Sequence, residues 1–118
     1  MAWARDTGHR VTLHTDNPAT PIGPLRALRT AVTRVPRGSS EPLGPEQRIS
    51  VADGLRAMTI DAAWQNFEEG IKGSLAPGKL ADFVILDGNP LTVDPTAIRD
   101  IQVLETIVGG ETVFERSM

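Results

Sequence analysis

Glycine and proline interrupt this chain more than any other feature of its sequence. The 118 residues include 11 glycines and 9 prolines, spread over most of the length. Proline ends helices and cannot donate to a β-ladder, and glycine weakens both kinds of element. The sequence therefore predicts several short, sharply bounded elements. A chain of this length suggests one domain, with enough apolar residues for a modest core.

The N-terminal part reads as a strand, a loop and a helix. Residues 10–15 are short and rich in β-branched side chains, which predicts a strand. Residues 16–23 hold turn-forming residues and two prolines, so they are expected to end that strand and form a loop. Apolar residues spaced by three and four positions then predict a helix over residues 24–35, with one face formed by Leu25, Leu28, Val32 and Val35.

Two further helices are expected in the middle of the chain. The Ser50 hydroxyl is placed to accept from the amide of Asp53, as in a capping box, so a helix is predicted over residues 50–60. Asp61 is expected to cap a short helix over residues 62–67.

The hydrophobic period changes after Pro77 and Gly78. Residues 81–87 have an almost continuous apolar middle and predict a strand. Two further strand-like runs, 103–108 and 111–115, flank a Gly-Gly pair and predict a β-hairpin. The sequence thus indicates an α+β fold, with two or three helices packing on a small, mostly antiparallel C-terminal sheet.

Composition excludes several classes of function. The formal net charge of −3 argues against a nucleic-acid surface, which needs a basic patch. No apolar run is long enough to cross a membrane, and no signal peptide is visible, so a cytoplasmic location is expected. Cysteine is absent from the sequence, which excludes disulfides, zinc–thiolate sites and a cysteine nucleophile.

Three blocks of sequence resemble the amidohydrolase superfamily, specifically its amidohydrolase 3 branch of metal-dependent hydrolases related to N-substituted formamide deformylase and exoenzyme regulatory proteins. The third block is the most specific, because a Pro-Gly-Lys-x-Ala-Asp turn before an apolar strand is characteristic of the C-terminal segment of these proteins. The blocks are Leu13–Pro21, Met58–Asn66 and Gly73–Asp87, the last continuing to Thr106–Gly110.

The resemblance implies that the chain is the C-terminal end of such an enzyme. Residues 1–72 would be the end of a (β/α) barrel, with 10–15 as its last strand. Residues 73–118 would be half of a composite β-sandwich whose other half comes from the N-terminus of the whole protein. Barrel enzymes carry their active sites at the carboxyl ends of the strands.

Asp16 and His14 are the candidate site residues. Through the resemblance, Asp16 matches the aspartate that contacts the metal and takes a proton from the attacking water. On a strand, His14 would share a face with Asp16 and could be a second ligand. Catalytic zinc sites generally use three protein ligands, however, and the family's remaining histidines and lysine have no counterpart here. A structural role for His14 and a turn-forming role for Asp16 are the competing interpretations.

Other conspicuous side chains are interpreted as structural. Trp64 and Phe67 lie three residues apart and are expected in the core. Lys79 is expected to be a solvated turn residue. The arginines of the predicted helix 24–35, including Arg26, Arg29 and Arg34, are expected to form a solvated face.

Three functional hypotheses follow. In the first, the chain is the C-terminal part of an amidohydrolase for carbon–nitrogen bonds other than peptide bonds. It would be inactive alone and would bind no cofactor alone, although the whole family uses a divalent metal such as zinc. A separate chain could complete the barrel.

In the second hypothesis, the chain is a non-catalytic module that forms a homodimer or binds a partner through its exposed sheet edges. The third hypothesis, a self-sufficient hydrolase, requires His14, Asp16 and perhaps His9 to make a site shared between subunits.

Overall fold

The computed structural model describes residues 1–117, in which four short helices precede a three-stranded sheet. Two 3-10 helices, Pro45–Gln47 and Pro95–Asp100, lie between the regular elements. In chain order the elements are α1 (Ala2–Asp6), α2 (Pro24–Thr33), α3 (Val51–Met58), α4 (Ile60–Gln65), β1 (Phe83–Leu86), β2 (Val103–Val108) and β3 (Glu111–Glu115). The predicted α+β class is confirmed.

The sheet is antiparallel throughout, with the strand order β1-β2-β3. Phe83 pairs with Ile107, and Ile107 in turn pairs with Thr112. The predicted hairpin joins β2 to β3 through Gly109 and Gly110, whose φ values are 60° and 87°. Two consecutive residues with positive φ suit a tight hairpin turn, which explains the Gly-Gly pair.

Helix α2 lies at the centre of the core. Leu28 and Ile98 are fully buried, and Ala31, Ile49 and Ala57 are also buried. α2 contacts both α3 and the 3-10 helix Pro95–Asp100, so it joins the helical part of the chain to the segment that precedes β2. The sequence predicted Leu28 on the buried face, but Leu25, Val32 and Val35 are only partly buried.

Side-chain caps are found at two helix starts, and the predicted cap at Ser50 is confirmed. Ser50 caps α3, and its hydroxyl accepts from the Asp53 amide at 3.1 Å. Asp94 accepts from the Thr96 amide at 2.8 Å and begins the 3-10 helix that follows it. Each cap satisfies an amide that the first turn leaves without a backbone partner.

The predicted strand over residues 10–15 is not formed. Within residues 1–117 this segment is irregular and belongs to no β-ladder. A strand needs a neighbour for its backbone groups, and the three described strands pair only with one another. Propensity alone therefore did not produce a strand.

The predicted helix over residues 62–67 begins and ends earlier, at Ile60 and Gln65. Thr59 precedes its first turn, and Asp61 lies inside that turn, buried, instead of capping it. Phe67 follows the helix at a φ of 60° and is 92% exposed, while Trp64 is 44% exposed. The expectation that both aromatic side chains lie in the core is wrong: the helix ends before Phe67, and the ring of Trp64 is in contact with Arg10 on the surface.

The longest helix in the described part of the chain has ten residues, and no helix there is long and apolar enough to cross a membrane.

Gly54 lets α3 pack closely against Leu28 of α2. A Cβ at this position would lie 2.3 Å from Cδ1 of Leu28. We expect Gly54→Ala to destabilise the protein by about 1–3 kcal/mol through overpacking, although alanine is the better helix former. Chemical denaturation measures the effect. The matched control is Ala52→Gly on the exposed side of α3, expected to cost about 1 kcal/mol through propensity alone. A Gly54→Ala variant more stable than the wild type would contradict the packing described here.

Asp53 couples the start of α3 to α1. The Arg5 guanidinium and the Ser50 hydroxyl lower the pKa of Asp53 below its ordinary value, and Arg5 forms an ion pair with it. Because the pKa is lower in the folded state, the ionised carboxylate stabilises the fold above about pH 4, and this stabilisation is lost as the pH falls through the folded-state pKa. In Asp53→Asn, the free energy of unfolding should decrease less steeply as the pH is lowered. Urea denaturation at a series of pH values measures it. Arg5→Gln should have a similar effect, and the double variant should add little to either single variant.

Candidate functional site

Asp16 lies at the beginning of an exposed turn, directly after the irregular segment 10–15. Its φ is 52°, in the left-handed region that non-glycine residues adopt infrequently. Its amide donates to Nδ1 of His14 at 3.2 Å, and its carbonyl oxygen accepts from the Thr20 amide at 3.3 Å. The turn therefore fixes the backbone of Asp16, while the carboxylate faces solvent.

His14 is engaged by the backbone of that turn. Because Nδ1 accepts a hydrogen bond, the neutral ring carries its proton on Nε2. Metal coordination requires a nitrogen lone pair, so in this conformation neither nitrogen of His14 is available as a ligand. The contact favours a local structural role for His14 in the described conformation.

Two contacts attach the segment before Asp16 to helix α4. The Arg10 guanidinium lies 4.6 Å from the centre of the Trp64 ring, within the range of a cation–π interaction. Thr12 donates from its hydroxyl to Oε1 of Gln65 at 2.8 Å. A strand would be held by backbone hydrogen bonds to a neighbouring strand. Here these two side-chain contacts hold the segment instead.

The donors present do not suffice for a metal site. Among residues 1–117 no group of three or more histidine, aspartate, glutamate or cysteine side chains converges. His9, the third candidate, lies with its Nδ1 3.0 Å from the Thr7 hydroxyl. On a strand His14 and Asp16 would share a face, but residues 10–15 do not form a strand. The structure therefore brings His14 and Asp16 together through a side-chain-to-backbone hydrogen bond.

An apolar groove of about 980 Å³ opens between the helices and the sheet. Helices α3 and α4 form one wall and β1 and β2 the other. Its apolar lining includes Met58, Ile60, Leu75, Phe83 and Ile107. Sequence analysis did not identify this groove; the continuous apolar run of β1 was the available signal, since both faces of that strand carry apolar side chains.

Lys79 fixes the loop that borders the groove. Its ammonium donates to the carbonyl oxygen of Glu69 at 2.5 Å and to the Ser74 hydroxyl at 2.8 Å. The expectation of a solvated turn residue is wrong, because Lys79 is half-buried and holds together the two ends of its loop.

Comparisons with known proteins agree on one family. A model of the amidohydrolase family matches residues 1–114. The chain is 43% identical over 107 residues to Protein LONG AFTER FAR-RED 3 of Arabidopsis thaliana, an alignment that covers 88% of this chain and 18% of that protein. It is 33% identical over 112 residues to N-substituted formamide deformylase of Arthrobacter pascens, covering 95% of this chain and 20% of the relative.

A solved structure supports the same relationship. The fold is similar to that of an amidohydrolase from Thermotoga maritima, with a TM-score of 0.71 and 27% sequence identity. That match covers 98% of this chain and 25% of the other. The chain thus spans a quarter or less of the length of the proteins it matches.

The small number of donors generates a prediction about metal content. We expect the 118-residue chain, purified without a histidine tag and dialysed, to retain zinc well below one equivalent, because catalytic zinc sites typically need three protein ligands. Elemental analysis by mass spectrometry measures it. Asp16→Ala should leave the metal content unchanged. Stoichiometric zinc that is lost in Asp16→Ala would show that the chain forms a complete site, within one copy or between copies.

Proposed function

Because this chain belongs to the amidohydrolase family, we propose that it provides the C-terminal part of a metal-dependent hydrolase of carbon–nitrogen bonds other than peptide bonds. The observation that carries the proposal is the family match over residues 1–114, which includes Asp16 and the turn that presents it. The name of the Arthrobacter relative supports the bond type, since an N-substituted formamide contains a carbon–nitrogen bond of this class.

Asp16 is the residue of this chain that we assign to catalysis. If residues 10–15 pair with barrel strands in the whole enzyme, Asp16 would follow the end of a barrel strand, where a carboxylate can accept a proton from an attacking water. Its exposure and its fixed backbone suit such a group, because the turn would present it to a site that other residues complete. The residues described here do not by themselves fit a metal, so the remaining ligands would come from polypeptide outside this set.

The exposed apolar surface supports a role as one part of a larger enzyme. One face of the sheet exposes Val84, Val108 and Phe114, at 50%, 52% and 46%. Several exposed apolar side chains on one face of a sheet are typical of an interface. The occupant we assign to it is the rest of the amidohydrolase, because the alignments leave about four-fifths of the relatives' length outside the region of similarity.

A chimera tests the proposal. The segment of the Arthrobacter deformylase that aligns with this chain would be replaced by residues 1–114, and hydrolysis of an N-substituted formamide would be measured. We expect an active chimera in which Asp16→Asn lowers kcat by about 100-fold or more, since asparagine cannot accept the proton. The matched control is Asp6→Asn in α1, which removes the same charge from an exposed site.

Two outcomes would contradict the proposed role of Asp16: an active chimera unaffected by Asp16→Asn, or equal losses in Asp16→Asn and Asp6→Asn.

A second candidate, a non-catalytic module that dimerises through the same apolar face, is favoured by the exposure of Phe114 and its neighbours. Light scattering of the isolated chain separates the two: a stable dimer supports the module, and a monomer at high concentration counts against it.

A further inference from the structure

Four arginines surround one cavity on the side of α2 that faces the 3-10 helix Pro95–Asp100. The cavity has a volume of about 470 Å³. Arg26 and Arg29 extend from α2, Arg37 lies in the loop after it, and Arg99 belongs to the 3-10 helix. Among the lining residues one carboxylate, Asp100, lies 3.6 Å from Arg99. The cavity thus has a marked excess of positive charge in a protein whose net charge is −3.

Two features of the tertiary structure bring these four arginines together: the turn after α2 and the packing of α2 on the 3-10 helix. α2 ends at Thr33, and its C-cap Arg34, with a φ of 58°, reverses the chain and returns residues 35–39 towards the helix. The Arg29 guanidinium then donates from Nη1 to the carbonyl oxygen of Val35 at 2.9 Å, which fixes the turn. The packing of α2 on the 3-10 helix brings Arg99 to the opposite wall.

Arg29 carries an unsatisfied donor at this position. Its Nε is buried and has no hydrogen-bond partner within residues 1–117. Buried donors almost always have a partner, and a charged donor without one is costly. With Nη1 engaged by Val35, Nε is the donor of Arg29 that an oxyanion bound in the cavity would satisfy.

We propose that this cavity binds a phosphate group, as free phosphate or on a small phosphomonoester. Phosphate carries more than one negative charge at neutral pH and offers several acceptor oxygens, so it suits several guanidiniums better than a single carboxylate does. Arg26 is exposed, as expected for a solvated helix face, whereas Arg29 is half-buried and its Nε is buried. Arg34 is not part of the site, because its Nε donates to the carbonyl oxygen of Leu43 at 2.9 Å. The proposal is independent of Asp16 and of hydrolysis.

Isothermal titration of the 118-residue chain with inorganic phosphate tests this site. We expect saturable binding with a dissociation constant of about 1 mM or tighter, weakened about tenfold by Arg29→Gln. Arg37→Gln is a second variant, at an exposed loop position where a change of stability is not expected to interfere, and it should also weaken binding severalfold. The matched control is Arg56→Gln on α3, which removes the same charge elsewhere and should leave binding unchanged.

Three results would overturn the proposal. The first is no saturable binding of phosphate by the wild type. The second is an equal loss in Arg56→Gln and Arg37→Gln, which would show attraction by net charge alone. The third is sedimentation with vesicles of phosphatidylcholine and phosphatidic acid without binding of free phosphate, which would place the ligand on a lipid surface.

Discussion

The contact between Leu28 of α2 and Gly54 of α3 sets the distance between the two helices on which the rest of the structure depends. Leu28 is fully buried, and its Cδ1 occupies the space that a side chain at Gly54 would need. On its other side α2 packs against the 3-10 helix that contains the equally buried Ile98. Since that 3-10 helix leads into β2, one helix connects the N-terminal helices to the sheet. The same packing brings the arginines of α2 opposite Arg99.

The sheet itself is only partly covered. Ile107 is buried beneath the groove, whereas Val108 and Phe114 are about half exposed. The chain spans a quarter or less of the length of the proteins it matches, which supports the proposal that another part of the enzyme covers this surface.

At the candidate site, the sequence predicts which residue is exposed but not how its neighbours are arranged. Asp16 is predicted from its position after the expected strand 10–15 and from the family resemblance, and it does lie at the start of an exposed turn. Its relation to His14 could not be predicted, because the argument required a strand. In the structure Nδ1 of His14 accepts from the Asp16 amide, and Arg10 and Thr12 hold the segment against α4.

The sequence by itself determined the features that depend on near neighbours. The Ser50 cap, the start of the 3-10 helix after Asp94 and the hairpin at Gly109 and Gly110 are each decided by groups a few residues apart, so local chemistry suffices. Only the tertiary structure decided that residues 10–15 stay irregular, that Phe67 faces solvent and that Arg37 and Arg99 meet the arginines of α2. Each of these three features depends on how α2, α3 and the sheet pack against one another. The spacing of residues along the chain does not specify that packing.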